Sequence, residues 1–149
     1  MKVTENPLVM LIEECIRLRD TAQEIFSPEG EYSLTHAEEL VMLSISEQES
    51  PVTVPKIGRH LGYSRQVAKR AVDRLVELGL VEKLPNPDHK TAMLVRATRK
   101  GIAYEAKAGE VMLGVLKNLL SDSDLKKCLR LRSDLKKLRA LLEQYQSGS

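Results

Sequence analysis

The sequence predicts a mainly α-helical fold that carries a helix-turn-helix and one small β-hairpin. Its 149 residues are about the length of one ordinary domain, and 42% of them are hydrophobic, which is enough to form a core. Aromatic residues make up only 3%, and a core of aliphatic side chains suits helix-on-helix packing. Most apolar residues also recur at steps of three and four, the period of an amphipathic helix.

Two helix signals lie in the N-terminal third. Residues 8–26 place apolar side chains at helical spacing, and we expect Pro28 and Gly30 to end this helix. Thr35 is a natural N-cap for the next helix. Glu38, three residues later, completes a capping box ahead of a second apolar run.

The middle of the chain predicts a helix-turn-helix. Thr53 is expected to cap a short helix that Gly62 ends, and Ser64 to cap a second helix running to Leu78. Gly79 supplies the left-handed residue that closes this second helix. Two helices joined by a short turn containing glycine are typical of the motif.

A hairpin and two further helices follow. Residues 80–84 and 92–97 are rich in β-compatible side chains and flank a polar tip. Beyond Thr98, which caps the next helix, apolar residues step by four and three, and this seam resumes after an interruption at 121–124. One lobe offers such helices little to bury against, so the seams predict a partner subunit. The alternative is that these helices fold back on the same chain.

The second helix of the helix-turn-helix has one apolar and one mostly basic face. On a helical wheel, apolar residues including Val67 and Leu75 lie opposite the polar ones. The polar face contains Arg65, Gln66, Lys69, Arg70 and Asp73. Arginine can donate two hydrogen bonds to guanine and glutamine can pair with adenine, so this helix suits the major groove of DNA. The alternative is a solvated charged face.

The formal charge of +2 is distributed unevenly along the chain. Residues 1–52 hold 3 basic and 11 acidic side chains, residues 53–100 hold 11 and 4, and residues 101–149 hold 9 and 6. The net charges are therefore −8, +7 and +3. The +7 segment coincides with the helix-turn-helix and hairpin, as expected for a surface that contacts DNA phosphates. The acidic first segment would keep the rest of the surface away from DNA.

These elements, in this order, resemble the MarR-type family of winged-helix transcriptional regulators. The motifs that carry the resemblance lie at residues 34–35, 57–66, 72–81, 86–88 and 98–101. Each motif is weak alone, but their order and spacing are specific.

The resemblance implies a mainly α fold with a small β-hairpin wing. Its winged helix-turn-helix DNA-binding lobe would span residues 34–98, flanked by N- and C-terminal dimerisation helices in residues 1–33 and 99–149. It further implies a homodimer that binds a near-palindromic operator in double-stranded DNA and regulates transcription, as a repressor released by a small aromatic or lipophilic effector. The pocket for that effector is not identified by the sequence.

The wing departs from the family pattern. The family places an arginine two residues after an aspartate, and here the matching positions hold Asp88, His89 and Lys90. The resemblance implies that Lys90 reaches the minor groove and that Asp88 pairs with a basic neighbour. Lysine lacks the planar fork of arginine, which weakens readout of the minor groove. The residues expected to contact DNA are Thr53, Lys56, Ser64, Arg65, Gln66, Lys69, Arg70, Arg74, Asp88, His89 and Lys90.

Other chemistries find less support in the sequence. Cys15 suggests a redox-sensing regulator, but its place on an apolar stripe favours a structural cysteine, and Cys128 lies on the last seam. No pair among His36, His60 and His89 has metal-ligand spacing. No phosphate-binding glycine loop or hydrolase motif occurs, so neither an enzyme nor a cofactor is predicted.

The apolar runs are too short to predict a membrane span, which needs roughly 20 residues. The first residues also lack the apolar stretch of a signal peptide. With only two widely separated cysteines, we expect a cytoplasmic protein in a reducing compartment.

A winged-helix module that binds another protein through its basic face is the alternative function.

Overall fold

The computed structural model describes residues 1–26 and 31–148 and contains two compact units, Met1–Met112 and Leu113–Ser149. After a short 3-10 helix at Val3–Glu5, the elements are α1 (Pro7–Phe26), α2 (His36–Ser46), β1 (Val52–Thr53), α3 (Val54–Leu61), α4 (Arg65–Glu77), β2 (Val81–Leu84), β3 (Leu94–Ala97), α5 (Arg99–Leu116) and α6 (Asp122–Ser147). The mainly α fold with a helix-turn-helix is therefore confirmed. Pro28 and Gly30, the predicted end of α1, lie outside the described residues.

Side-chain caps begin α2 and α4 as the sequence predicts. Thr35 Oγ1 accepts the backbone N–H of Glu38 at 3.3 Å, while Glu38 Oε2 accepts that of Thr35 at 3.0 Å. Ser64 Oγ accepts the backbone N–H of Val67 at 3.2 Å. Each cap satisfies donors that have no partner within the helix.

Thr53 was expected to cap α3, and the position of this cap is confirmed. Thr53 occupies the N-cap position, but its side chain forms no capping hydrogen bond. Pro55 in the first turn has no backbone N–H to offer. Thr53 instead belongs to β1, where it is paired with Leu94.

The predicted hairpin is part of a three-stranded antiparallel sheet in the order β1-β3-β2. In the pairing of β2 with β3, Val81 lies opposite Ala97 and Leu84 opposite Leu94. Strand β1 was not predicted, because two residues are too few to show alternation. This strand joins the start of α3 to the wing.

The core of the first unit forms between α2, α3, α4 and the sheet, with α2 packed extensively on α4. Its buried hydrophobic residues are Val41, Met42, Ile45, Val52, Ile57, Ala71, Val72, Leu75, Leu80, Val81 and Val95. All are aliphatic or methionine, as the scarcity of aromatic residues predicted. Every element that leads to or from α4 contributes to this core.

The turn between α4 and β2 supports the start of α5. Gly79 has a φ of 74°, a conformation that favours glycine. The Thr98 hydroxyl donates to the Gly79 carbonyl at 2.6 Å and accepts the Gly101 N–H at 3.1 Å. Gly101 is buried here, and a Cβ at this position would clash with the carbonyl oxygen of Leu80 and lie 2.9 Å from Met42 Cε.

Helix α6, in the second unit, begins where the sequence indicated an interruption. Ser121 Oγ accepts the backbone N–H of Asp124 at 3.1 Å, and Asp124 Oδ2 accepts that of Ser121 at 3.1 Å. The interruption at residues 121–124 is therefore a capping box. Among the described residues, no helix is long and apolar enough to cross a membrane.

Replacing Gly101 by Ala should destabilise the protein by about 1 to 3 kcal/mol, because the backbone must move to admit the methyl group. Gly109→Ala on the same helix is the matched control, since a Cβ there meets no atom within 4 Å. We expect this control to be neutral or slightly stabilising. Urea denaturation at one protein concentration measures both, and equal stabilities of the two variants would contradict the prediction.

Candidate nucleic-acid interface

Helix α4 divides into a buried and an exposed face. Its buried side chains are Ala68, Ala71, Val72 and Leu75. The exposed residues include Arg65, Gln66, Lys69, Arg70 and Arg74, all predicted to contact DNA. Because the inner face is fixed in the core, the helix cannot rotate, and the basic face is held toward solvent.

Val67 was placed on the apolar face by the helical wheel, but 40% of it is exposed. It lies about 100° around the helix from Ala68, at the edge of the buried stripe. This position borders the basic face. An exposed aliphatic side chain there suits contact with the methyl group of thymine, a role that the sequence pattern did not indicate.

Asp73 joins α4 to the wing. One carboxylate oxygen accepts a hydrogen bond from Lys69 Nζ at 2.7 Å, and the other accepts one from Lys83 Nζ on β2 at 2.8 Å. These two lysines lower the pKa of Asp73 below its ordinary value. The sequence placed Asp73 on the polar face but gave no sign of its partner on the strand.

The wing tip is exposed and carries three predicted DNA contacts, Asp88, His89 and Lys90. Asp88 was expected to pair with a basic neighbour, but it forms no ion pair with any described residue. The side chain of Asn86 orders the tip instead, because its Oδ1 accepts the backbone N–H of Asp88 at 3.0 Å. Between the strands, Arg96 of β3 pairs with Glu82 of β2.

The structure brings the predicted residues of α4 together on one face and places those of the wing tip in one loop. Thr53 and Lys56 belong to a third group at the start of α3, where Thr53 is half-buried and Lys56 exposed. Ser64 is used as the cap of α4. The pairing of Asp73 with Lys83 links α4 to strand β2 of the wing, and the pairing of Thr53 with Leu94 links the start of α3 to strand β3.

Lys100 connects α5 to the end of α4. Its Nζ donates a hydrogen bond to the carbonyl of Leu78 at 2.8 Å. A positive charge is stabilised at this position, because the C-terminus of a helix carries partial negative charge. The same ammonium lies 4.9 Å from the ring centre of Tyr32. Tyr32 in turn meets the edge of Tyr104, with 5.5 Å between ring centres.

A group of carboxylates lies near these tyrosines. Burial, together with charge repulsion from Glu39 and Glu47, raises the pKa of Glu105 to about 7. Burial also raises the pKa of Glu39. The pKa of Tyr104 rises to about 12, mainly through burial and secondarily through Glu39 and Glu105. Glu105 is therefore partly protonated near neutral pH.

The remaining candidates are separate. Cys15 is half-buried and Cys128 exposed, and both are free thiols. His36 is half-buried, and burial with a contribution from Arg19 lowers its pKa. Within residues 1–26 and 31–148, no three His, Cys, Asp or Glu side chains are placed to hold a metal ion.

We expect Glu105→Gln to flatten the dependence of stability on pH. The pKa of Glu105 is raised in the folded protein, so its stabilising contribution is full below about 4.5 and is lost as the pH rises through about 7. Urea denaturation at pH 5 and pH 8 measures the difference. Glu110→Gln, an exposed site on the same helix, should keep the wild-type difference, and an unchanged difference in Glu105→Gln would refute the assignment.

Comparison with known sequences places the central lobe in a family. A family model described as MarR family matches residues 32–90. An uncharacterised protein of Mycobacterium tuberculosis is 34% identical over 84 residues, a match that covers 56% of this chain and 55% of the relative. The chain thus spans about half the length of the curated relatives it matches.

Solved structures extend the likeness to nearly the whole chain. A mutant MarR from E. coli is 29% identical with a TM-score of 0.66, covering 87% of this chain and 97% of that one. A mutant MarR from E. coli complexed with operator DNA is 28% identical with a TM-score of 0.66, covering 93% and 99%. Residues 32–90 therefore match the MarR family, and the fold of the chain is similar to that of the MarR-type winged-helix proteins.

Proposed function

We propose that this chain is a homodimeric transcriptional regulator that binds specific sites in double-stranded DNA. Residues 34–98 form the DNA-binding lobe, and residues 1–33 and 99–149 form the dimerisation region. The observation that carries the proposal is α4, whose apolar face is locked in the core while its basic face is exposed. A charged face that served only to keep the protein hydrated would not need to be held in one orientation beside a wing.

The predicted contacts divide by chemistry. Arg65 and Gln66, in the first turn of α4, are proposed to read base edges in the major groove. Lys90 and His89 at the wing tip are proposed to contact the phosphate and sugar backbone or the minor groove. The other proposed contacts are Thr53, Lys56, Ser64, Lys69, Arg70, Arg74 and Asp88. That a similar MarR structure is complexed with operator DNA supports this assignment.

Exposed apolar side chains support the dimer. Helices α1, α5 and α6 each leave large hydrophobic residues accessible in the single chain, among them Leu18 at 69%, Leu113 at 68% and Leu131 at 61%. Monomeric proteins rarely expose apolar surface on this scale. A second copy of the chain, carrying the same faces, would cover them.

We further propose that the regulator represses transcription and is released by a small aromatic or lipophilic effector. Such a ligand must bind the form that cannot engage DNA more tightly than the form that can. A coupling free energy of about 1 to 3 kcal/mol would change DNA affinity roughly 5- to 150-fold. The proposed location of the protein is the cytoplasm.

Selection of bound duplexes from a random pool tests the function directly. We expect an inverted repeat, because a symmetric dimer presents two equivalent recognition helices. Binding to the selected site should be about nanomolar at physiological salt and should weaken steeply as salt rises. Failure to enrich any sequence, with weak binding to all duplexes, would favour the protein-interaction module.

Substitutions in α4 and the wing should differ in kind. Arg65→Ala or Gln66→Ala should relax base preference at a few operator positions and cost about 1 to 3 kcal/mol on the operator. Lys90→Ala should weaken all sequences more evenly and reduce the salt dependence. Titration against the operator and single-base variants measures this, and equal losses on every sequence would refute base reading by Arg65 and Gln66.

The dimer has its own test. Leu135 lies on the apolar seam of α6 and is 40% exposed, whereas Leu129 lies about 120° away around the helix and is 66% exposed. Leu135→Glu should convert the dimer to a monomer in light scattering, while Leu129→Glu should remain dimeric. A wild-type protein that is monomeric at micromolar concentration would contradict the proposal.

A further inference from the structure

Asp73 is an acidic residue within the basic face of the recognition helix. Both of its carboxylate oxygens are occupied, one by Lys69 of the same helix and one by Lys83 of strand β2. The three side chains are partly exposed, with the carboxylate 36% accessible. A single carboxylate therefore binds two ammonium groups at the surface where DNA is proposed to bind.

The other cations of this face are arranged differently. Arg65 and Arg70 form no ion pair with any residue in the described ranges. Arg74 pairs with Glu77 one turn later, at 3.4 Å, and no described residue of the wing forms an ion pair with that carboxylate. Asp73 thus differs from Glu77 in holding two lysines, one of them from another element.

This arrangement affects cognate and random DNA unequally. Random duplexes are bound almost wholly through phosphates, so a carboxylate that occupies two ammonium groups and repels phosphates weakens that binding. On the cognate site the same carboxylate also has a favourable effect, because it fixes the direction of Lys69 beside the base-reading residues. The two effects oppose each other only on the cognate site.

We propose that Asp73 is a specificity-determining residue of this protein, which suppresses phosphate-driven binding to random DNA by holding Lys69 and Lys83. The inference rests on the proposed DNA-binding function and deepens it. It assigns to an acidic side chain a role in discrimination between duplexes. In this role, Asp73 lowers affinity for random DNA more than affinity for the operator.

A purely structural role makes a different prediction. If Asp73 served only to hold β2 against α4, then Lys83→Gln would reproduce the effect of Asp73→Asn, since either change removes the link. In the proposed role the two variants diverge. Asp73→Asn releases two cations, whereas Lys83→Gln removes one and leaves Lys69 paired.

The test is a salt titration of full-length wild type and variants against the selected operator and a scrambled duplex of equal length. Asp73→Asn should bind the scrambled duplex about tenfold more tightly at low salt. The log–log salt slope of this variant should be steeper by about one to two, because each additional phosphate that a freed lysine neutralises adds about 0.9. Its operator affinity should change less than about threefold. Asp73→Glu, which keeps the carboxylate, should recover most of the wild-type discrimination.

Glu77→Gln is the matched control, because it removes one negative charge from the same helix and frees only Arg74. It should raise binding to the scrambled duplex clearly less than Asp73→Asn does, and Lys83→Gln should not raise it at all. Equal increases in Glu77→Gln and Asp73→Asn, or equal strengthening of both duplexes by Asp73→Asn, would overturn the inference. Wild-type protein that binds neither duplex would instead refute the proposed function.

Discussion

The arrangement of the winged lobe depends on the burial of one face of α4. Ala68, Val72 and Leu75 are fully enclosed by α2, α3 and the sheet. In a close-packed interior such a face has only one stable orientation, so the opposite face is fixed as well. The cap at Ser64 and the turn at Gly79 set the two ends of the helix within the same core. A helix held only by solvent contacts would not present side chains at fixed positions to a rigid duplex.

The charged side chains lie outside this packed core. The buried residues of the core are almost all apolar, and the basic residues of α4 and the wing stay at the surface. Exposed ion pairs contribute little to folding. The two ion pairs of Asp73, one with Lys69 and one with Lys83, therefore matter more for contact with a charged partner than for stability. Glu39 and Glu105 are different, because partial burial raises the pKa of each carboxyl and makes its ionisation unfavourable to the fold.

Much of the fold follows from local sequence patterns. Several of these patterns involve residues only a few positions apart, so the sequence alone predicts them. They are the capping box at Thr35, the cap at Ser64 and the left-handed glycines Gly62 and Gly79. The periodicity of α4 likewise placed most of its buried and basic residues correctly. Its one error, Val67, lies at the edge of the apolar stripe, where a wheel assigns a face but cannot tell how far neighbouring elements extend.

The sequence by itself determined the helix-turn-helix, the wing and the basic character of the middle segment, because these depend on spacing and composition. Only the tertiary structure decided how those parts are joined. Thr53 pairs with Leu94 of β3, and Asp73 pairs with Lys83 of β2. Such contacts join residues that lie far apart in sequence. Their partners are fixed only when packing brings the elements together.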